Sequence, residues 1–336
     1  GVYWWKRLDS QGTPAGFLPG NGRMEATEIN VSTKLAGRIE EMLVDEGDFV
    51  EAGQALVRMQ TDVLVAQRAE AVAQLQQARQ AVATATAQMA MREADLAASQ
   101  ALIAQRESEL SYSRRRLTRY ELAGEKSATS VQEIDEERTR SLWAEATLTA
   151  AKAQATAAQA AIEAARAEIA GAESTVHARE ATVQRIEADI KDSVLASPRA
   201  GRVQYRIAQP GEVLAAGGRA LNVIDLADVY RTFFLPEQVV ARVAMGTEVR
   251  LVLDAAPGFV IPAEVSFIAS TAQFTPKTVE TAEERQKLMF RVRARISPDL
   301  LRKHLHQVKT GVPGVAWIKL DPAAHWPADL TVKVPE

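Results

Sequence analysis

Apolar positions in the middle of the chain recur at a strict interval of seven. Leu75, Val82, Met89, Leu96, Ile103, Leu110 and Leu117 form one series. Ile134, Leu148, Ala155, Ile162, Ile169, Val176, Val183 and Ile190 form a second, with Ser141 its polar member. Sevenfold spacing sustained over that many turns predicts a coiled coil rather than an ordinary amphipathic helix. The stretch from Asp62 to Asp192 has no proline, all 13 prolines lying at or before Pro19 or at or after Pro198. Helix breakers are thus confined to the flanks. The series break at Ala123–Thr129, after which Ser130, with Glu133 three residues on, has the pattern of an N-cap and capping box. Folding there sets Leu117 opposite Ile134, Leu110 opposite Ser141, Met89 opposite Ile162 and Leu75 opposite Val176. Arms of about 60 residues at 1.5 Å each predict a hairpin of roughly 90 Å. Many remaining positions are alanine, which allows close helix approach. A rod has little core for its surface, so reach is the better reason for its length.

The flanks of this rod repeat one another across 164 residues. Ser32-Thr33-Lys34-Leu35-Ala36-Gly37-Arg38-Ile39 matches Ala196-Ser197-Pro198-Arg199-Ala200-Gly201-Arg202-Val203. Gly37, Gly47 and Gly53 are spaced as Gly201, Gly211 and Gly217 are. Each copy reads as short apolar strands broken by glycines at tight turns needing positive φ. A block of about 30 residues cannot bury a two-sided core alone, so the copies are expected to pack as one pseudo-symmetric β-sandwich.

After the second copy the pattern changes to β-branched strands with Pro and Gly turns: Val229–Leu235, Glu248–Leu253, Ala263–Ala269, Leu288–Ile296 and Gly314–Leu320. Gly20–Val31 could add another. These predict a small antiparallel barrel, with a short helix near Glu237–Ala244 and a polar loop over Phe274–Arg285.

The half-motifs closely resemble the biotinyl/lipoyl carrier domain, each copy supplying one half. That family carries its modified lysine at a hairpin tip, where this chain has Gln60-Thr61-Asp62 and Val223-Ile224-Asp225-Leu226, without lysine. Lys34 lies on an early strand and reads as a solvated charge. The order of strand, half-motif, long hairpin, half-motif and barrel is similar to the HlyD family of periplasmic adaptors, or membrane fusion proteins. The resemblance covers about 20–320 and implies an adaptor between an inner-membrane transporter and an outer-membrane channel of a Gram-negative envelope. The loop Phe274–Arg285 is similar to one in adaptors serving ABC-type exporters, which implies an ABC transporter first and a major facilitator (MFS) type second. The family's hairpin tip, which engages a TolC-like channel, carries an Arg, a Leu four residues on and a Ser seven beyond that. Arg119 and Ser130 match; Ala123 stands at the Leu position with Leu122 beside it. Arg119, Leu122, Ala123 and Ser130 are therefore the candidate channel contacts, with Arg116 and Trp143 as further ones. The resemblance also implies a homo-oligomer, trimeric or hexameric, located in the periplasm and anchored to the inner membrane.

The reading makes the chain an elongated multidomain α+β protein. It has a stub at 1–19, a barrel from 20–31 and 227–320, and a split lipoyl-like domain from 32–61 and 193–226. The coiled-coil hairpin occupies 62–192 and a tail 321–336.

Composition changes this picture little. Lys plus Arg total 40 against 43 Asp plus Glu, leaving no basic excess to suggest nucleic acid. The absence of cysteine excludes disulfides, thiolate catalysis and Cys-based zinc. Gly1-Val2-Tyr3-Trp4-Trp5-Lys6-Arg7 reads either as the interfacial end of a transmembrane helix whose apolar part is not in this chain, or as a flexible terminus. Of four histidines, His177 lies in the second helix, His304 and His306 near a short element, and His325 in the tail. The His304 and His306 pair could help hold a metal but reads as ordinary surface histidine. No GxSxG, P-loop or Rossmann fingerprint is present, and the reading implies neither enzyme chemistry nor cofactor. The basic run Arg114-Arg115-Arg116 with Arg119 either pairs across the hairpin with Glu133, Asp135, Glu136 and Glu137, or offers donors to an acidic channel mouth. Trp143 points away from the partner helix, as a partner contact or a cover for the helix flank. Three function classes stand: an export adaptor, a lipoyl/biotinyl-type carrier, and a structural coiled-coil spacer. The missing lysine argues against the second and the β-domains against the third.

Overall fold

The computed structural model describes residues 15–271 and 289–335; the N-terminal Tyr-Trp-Trp segment and the polar loop Phe274–Arg285 lie outside the described residues. Two compact units divide the chain: one is 61–191, the other is everything before and after it.

The first unit is an antiparallel pair of helices, α1 (Asp62–Glu125) and α2 (Val131–Asp192), of 64 and 62 residues. Every member of the two sevenfold series is buried or half-buried. Beside each series runs a second of small residues. On α1 these are Ala71, Ala78, Ala85, Ser99 and Ser113; on α2 they are Ala144, Ala151 and Ala165. Large residues therefore meet small ones across the seam. Leu110 packs with Ala144 and Leu148 and with Ile103 of its own helix, not opposite Ser141 alone; the expected face-to-face layers are staggered. Four cross-helix ion pairs share one register: Arg79–Glu180 at 3.0 Å, Arg114–Glu145 at 3.3 Å, Arg138–Glu121 at 3.2 Å and Lys152–Glu107 at 3.7 Å; Arg68–Glu187, at 2.6 Å, is one turn out of step with them.

The second unit holds a sandwich and a barrel. The strands are β1 (Phe17–Ser32), β2 (Gly37–Met42), β3 (Phe49–Val50), β4 (Ala55–Met59), β5 (Val194–Ala196) and β6 (Gly201–Arg206). They continue as β7 (Val213–Leu214), β8 (Arg219–Pro236), β9 (Glu248–Leu253), β10 (Ala256–Ile268), β11 (Met289–Ile296) and β12 (Pro313–Lys319). Short helices α3 (Glu237–Val240) and α4 (Pro298–Lys303) complete it.

In the sandwich the sequence repeat becomes a reciprocal exchange. β2 of the first half pairs with β7 of the second, and β3 of the first with β6 of the second. Gly47 and Gly211 adopt φ 93° and 89°, Gly53 and Gly217 φ 82° and 80°. These are left-handed values that glycine takes without strain. The Gly47 N–H donates to the Val203 carbonyl and the Gly211 N–H to the Ile39 carbonyl, both at 2.8 Å. Thr33 and Ser197 each donate their hydroxyl to the carbonyl two residues on, at 2.6 Å in both halves. The shared core follows the repeat, with Ile39, Val57 and Met59 answered by Val203, Leu221 and Val223. Lys34 ion-pairs with Asp192 at 2.6 Å.

β1, β12, β9, β10, β11 and β8 close a six-stranded barrel, β8 returning to β1. β1 and β8 are long enough to serve both bodies. Met24 and Ala26 belong to the barrel core and Val31 to the sandwich core. β1 passes from one core to the other between Ala26 and Val31, and its register on β8 shifts between Ala26 and Thr27. Inside the barrel Arg231 is fully buried and donates to the carbonyls of Gly22 and Gly314. Burial pushes its pKa down to about 10, opposed by Asp254. A Cβ on Gly314 would fall 2.3 Å from the Val252 carbonyl oxygen and 3.1 Å from the Arg231 guanidinium, so the close strand approach here needs glycine. The tail also packs on the barrel. Trp326 packs at a tilt against Phe17, ring centroids 4.6 Å apart, and donates its indole N–H to Glu248 at 2.7 Å, and Lys333 bridges to Val260.

Candidate functional site at the hairpin end

At its free end the hairpin turns in five residues. The Lys126 and Ala128 N–H groups return to the Ala123 carbonyl at 3.1 and 2.9 Å, and Ser127 takes φ 57°, an uncommon conformation for a residue with a side chain. A Cβ on Gly124 would come within 2.6 Å of the Ile134 methyl, so glycine allows Ile134 to close the seam. The expected capping box is formed in both directions. Glu133 Oε2 accepts from the Ser130 N–H at 2.8 Å, and the Glu133 N–H donates to Ser130 Oγ at 3.3 Å. The Ser130 backbone bond first, then the hydroxyls of Thr129 and Ser130, hold the Glu133 carboxyl below its usual range.

The basic run divides by role. Arg116 crosses to Glu137 at 2.9 Å, and Glu137, with a side chain only 5% exposed, is also met by Arg140 at 3.3 Å. Arg114 pairs lower on α2 with Glu145 rather than with the expected acidic group. Arg115 donates to Ser111 on its own helix. Arg119 is exposed and makes no ion pair among the described residues.

Of the other candidates, Leu122 is 53% exposed, Ala123 is half-buried, and Ser130 is exposed with its hydroxyl committed to the cap. Trp143 is 64% exposed. Two residues were missed: Val131, 76% exposed, and Leu142, 62% exposed beside Trp143. Their signal was available, since both are large apolar residues standing off the sevenfold series. Together with Arg119 and Leu122 they give the hairpin end an exposed apolar and cationic surface. Such a surface can bind.

Elsewhere, His306 meets Phe49 edge-on at 4.6 Å, while His304 lines a cavity. Among the described residues no three His, Asp or Glu side chains are grouped to hold a metal, and no described helix is long and apolar enough to cross a membrane.

No protein-family model matches the chain. In fold it is similar to the periplasmic adaptor protein EmrA, at 18% identity over 90% of this chain and 98% of that one with a TM-score of 0.40. It is also similar to MacA from Actinobacillus actinomycetemcomitans, at 17% identity over 90% and 78% with a TM-score of 0.46. In sequence it is 30% identical over 292 residues to a UPF0194 membrane protein of Yersinia pseudotuberculosis, covering 87% of each chain. On that identity and coverage the chain belongs to the UPF0194 membrane protein family.

Proposed function

We propose that this chain is the adaptor subunit of a tripartite export system, joining an inner-membrane transporter to an outer-membrane channel. The observation that carries the reading is the hairpin end, where Arg119, Leu122, Val131, Leu142 and Trp143 are exposed on helices of 64 and 62 residues. Helices of that length, about 95 Å at 1.5 Å per residue, are poorly suited to building a catalytic core and well suited to carrying a contact over distance. The Yersinia relative is named a membrane protein, which agrees with work at an envelope. The resemblance to HlyD-family adaptors supports the finer assignments: an ABC-type transporter, a TolC-like channel at the hairpin end, a trimer or hexamer, and a periplasmic location anchored to the inner membrane. A carrier role is disfavoured because the helix root at Gln60-Thr61-Asp62 replaces the lysine-bearing turn.

The reading is tested by placing a photo-crosslinking amino acid at Leu122 or Trp143 in cells and identifying the product by mass spectrometry. An adduct with an outer-membrane channel protein is expected from both positions. Adducts only with this chain itself, or with none, would remove the hairpin end as the contact.

A further inference from the structure

The outer face of the barrel carries arginines that rings hold and carboxylates do not. On β11, Val292, Ala294 and Ile296 fill the core, so Arg291, Arg293 and Arg295 alternate outward. Arg295 is answered by Asp228 at 2.9 Å. Arg291 instead lies 5.8 Å from the Phe267 ring centroid, and Arg293 lies 4.7 Å from that of Tyr230 and 5.5 Å from that of Phe267, distances of cation–π contact. Neither makes an ion pair among the described residues, and the Nε of each is covered without a hydrogen-bond acceptor. The next strands extend the patch. Phe234 pairs with Arg291, Thr232 pairs with Arg293, and the exposed Arg23 of β1 pairs with Thr232. The acids of this face lie nearer the sandwich, in or below the row of Tyr230 and Arg295: Glu25, which accepts from Thr232, Glu264 and Asp228. The stretches outside the described residues that adjoin these strands in sequence bring no acidic excess. Lys277, Arg285 and Lys287 match Glu280, Glu283 and Glu284 in 272–288, and Lys6 and Arg7 outnumber Asp9 in 1–14.

We propose that this patch rests on the anionic phospholipid headgroups of a membrane, Arg23, Arg291 and Arg293 donating to phosphate oxygens with Phe234 and Phe267 at the headgroup level. Guanidinium groups pair well with phosphate, and cations beside aromatic rings are the combination that suits a negatively charged bilayer surface. The position on the barrel agrees. β8 arrives from the sandwich and ends at Pro236, opposite Met289 at the start of β11, and β1 starts at Phe17, beyond its pairing of Gly22 with Phe233. The patch thus lies toward the barrel end away from the sandwich, where the chain enters β1. The sequence ahead of that strand, Tyr3-Trp4-Trp5-Lys6-Arg7, repeats the pairing of aromatic and basic residues. The inference rests on the membrane-anchored location in the adaptor reading, but not on a channel partner.

The test is co-sedimentation of the full chain with vesicles of phosphatidylcholine alone or of equal parts phosphatidylcholine and phosphatidylglycerol. Tighter binding to the phosphatidylglycerol vesicles is expected. Arg291→Gln combined with Arg293→Gln should weaken it at least about tenfold, the scale of two arginines near an anionic surface. Arg23→Gln, at an exposed position, should weaken it about fivefold at the wild-type melting temperature, so the result does not hang on the double variant folding. Arg38→Gln combined with Arg219→Gln removes the same charge from exposed positions on the sandwich and should bind as wild type does. The Tyr-Trp-Trp-Lys-Arg segment is the same in every protein compared, so the differences report the barrel. Equal binding to the two vesicles, wild-type affinity in Arg23→Gln, or an equal loss in the sandwich variant would each overturn the proposal. None of these outcomes bears on the crosslinks from Leu122 and Trp143, which test the adaptor reading separately.

Discussion

Arg116 and Arg119 stand three residues apart in one basic run, yet they do opposite things. Arg116 neutralises a carboxylate that is almost wholly withdrawn from water, and truncating it leaves Glu137 with Arg140 alone. Arg116→Ala should therefore lower the melting temperature of the hairpin. Arg119→Ala, at an exposed position, should stay within about 0.5 kcal/mol. Thermal melting followed at the helix signal decides between them, and equal shifts would mean that Glu137 is not held as described. The run alone could not separate the two, because the distinction depends on the offset between the helices. Arg231 was hidden for a related reason. A charged residue within a β-strand reads as an outward position, and only the two facing glycine carbonyls make room for it inside the barrel.

At the scale of elements, the sevenfold series located both helices because large apolar residues recur too regularly for chance. The companion series of Ala71, Ala78, Ala85, Ala144, Ala151 and Ala165 did not stand out, since alanine is everywhere in the hairpin and carries little hydrophobic contrast. The stagger of large against small therefore went unread, and with it the true register. The stripe itself makes a firm demand. Ile162 is 3% exposed at the seam, so Ile162→Asp buries a charge without a partner and should cost about 3–5 kcal/mol. Ala164→Asp, exposed on the same helix, should change little. Circular dichroism melting of the two variants should differ clearly; matching curves would place Ile162 outside the seam. The repeat was legible through its glycines, whose positive φ no other residue supplies cheaply. The partner exchange of β1 from barrel to sandwich was not, because a continuous strand shows no break in pattern where its core changes.

At the scale of the whole molecule, the two half-motifs depend on each other and not on the insert. The pairs that join them, β2 with β7, β3 with β6, β4 with β5 and the matched glycine bonds, lie outside 62–191. Their ends are already together where the insert leaves, since the Met59 N–H donates to the Ser193 carbonyl at 2.8 Å. A short Gly-Ser linker can therefore replace 62–191 without moving either end. Closing a shorter loop also costs less entropy, about 0.6 kcal/mol for each halving of length in the flexible-chain limit. The shortened protein should fold, keep its β-type circular dichroism and melt in one cooperative transition no lower than the matching transition of the full chain. The hairpin made alone as 62–192 should in turn keep its helix signal, because its seam and ion pairs are internal. Calorimetry of the full chain and both pieces is the measurement. An unfolded shortened protein beside a folded hairpin would show that the sandwich needs the insert to assemble, and that the repeat alone does not specify it.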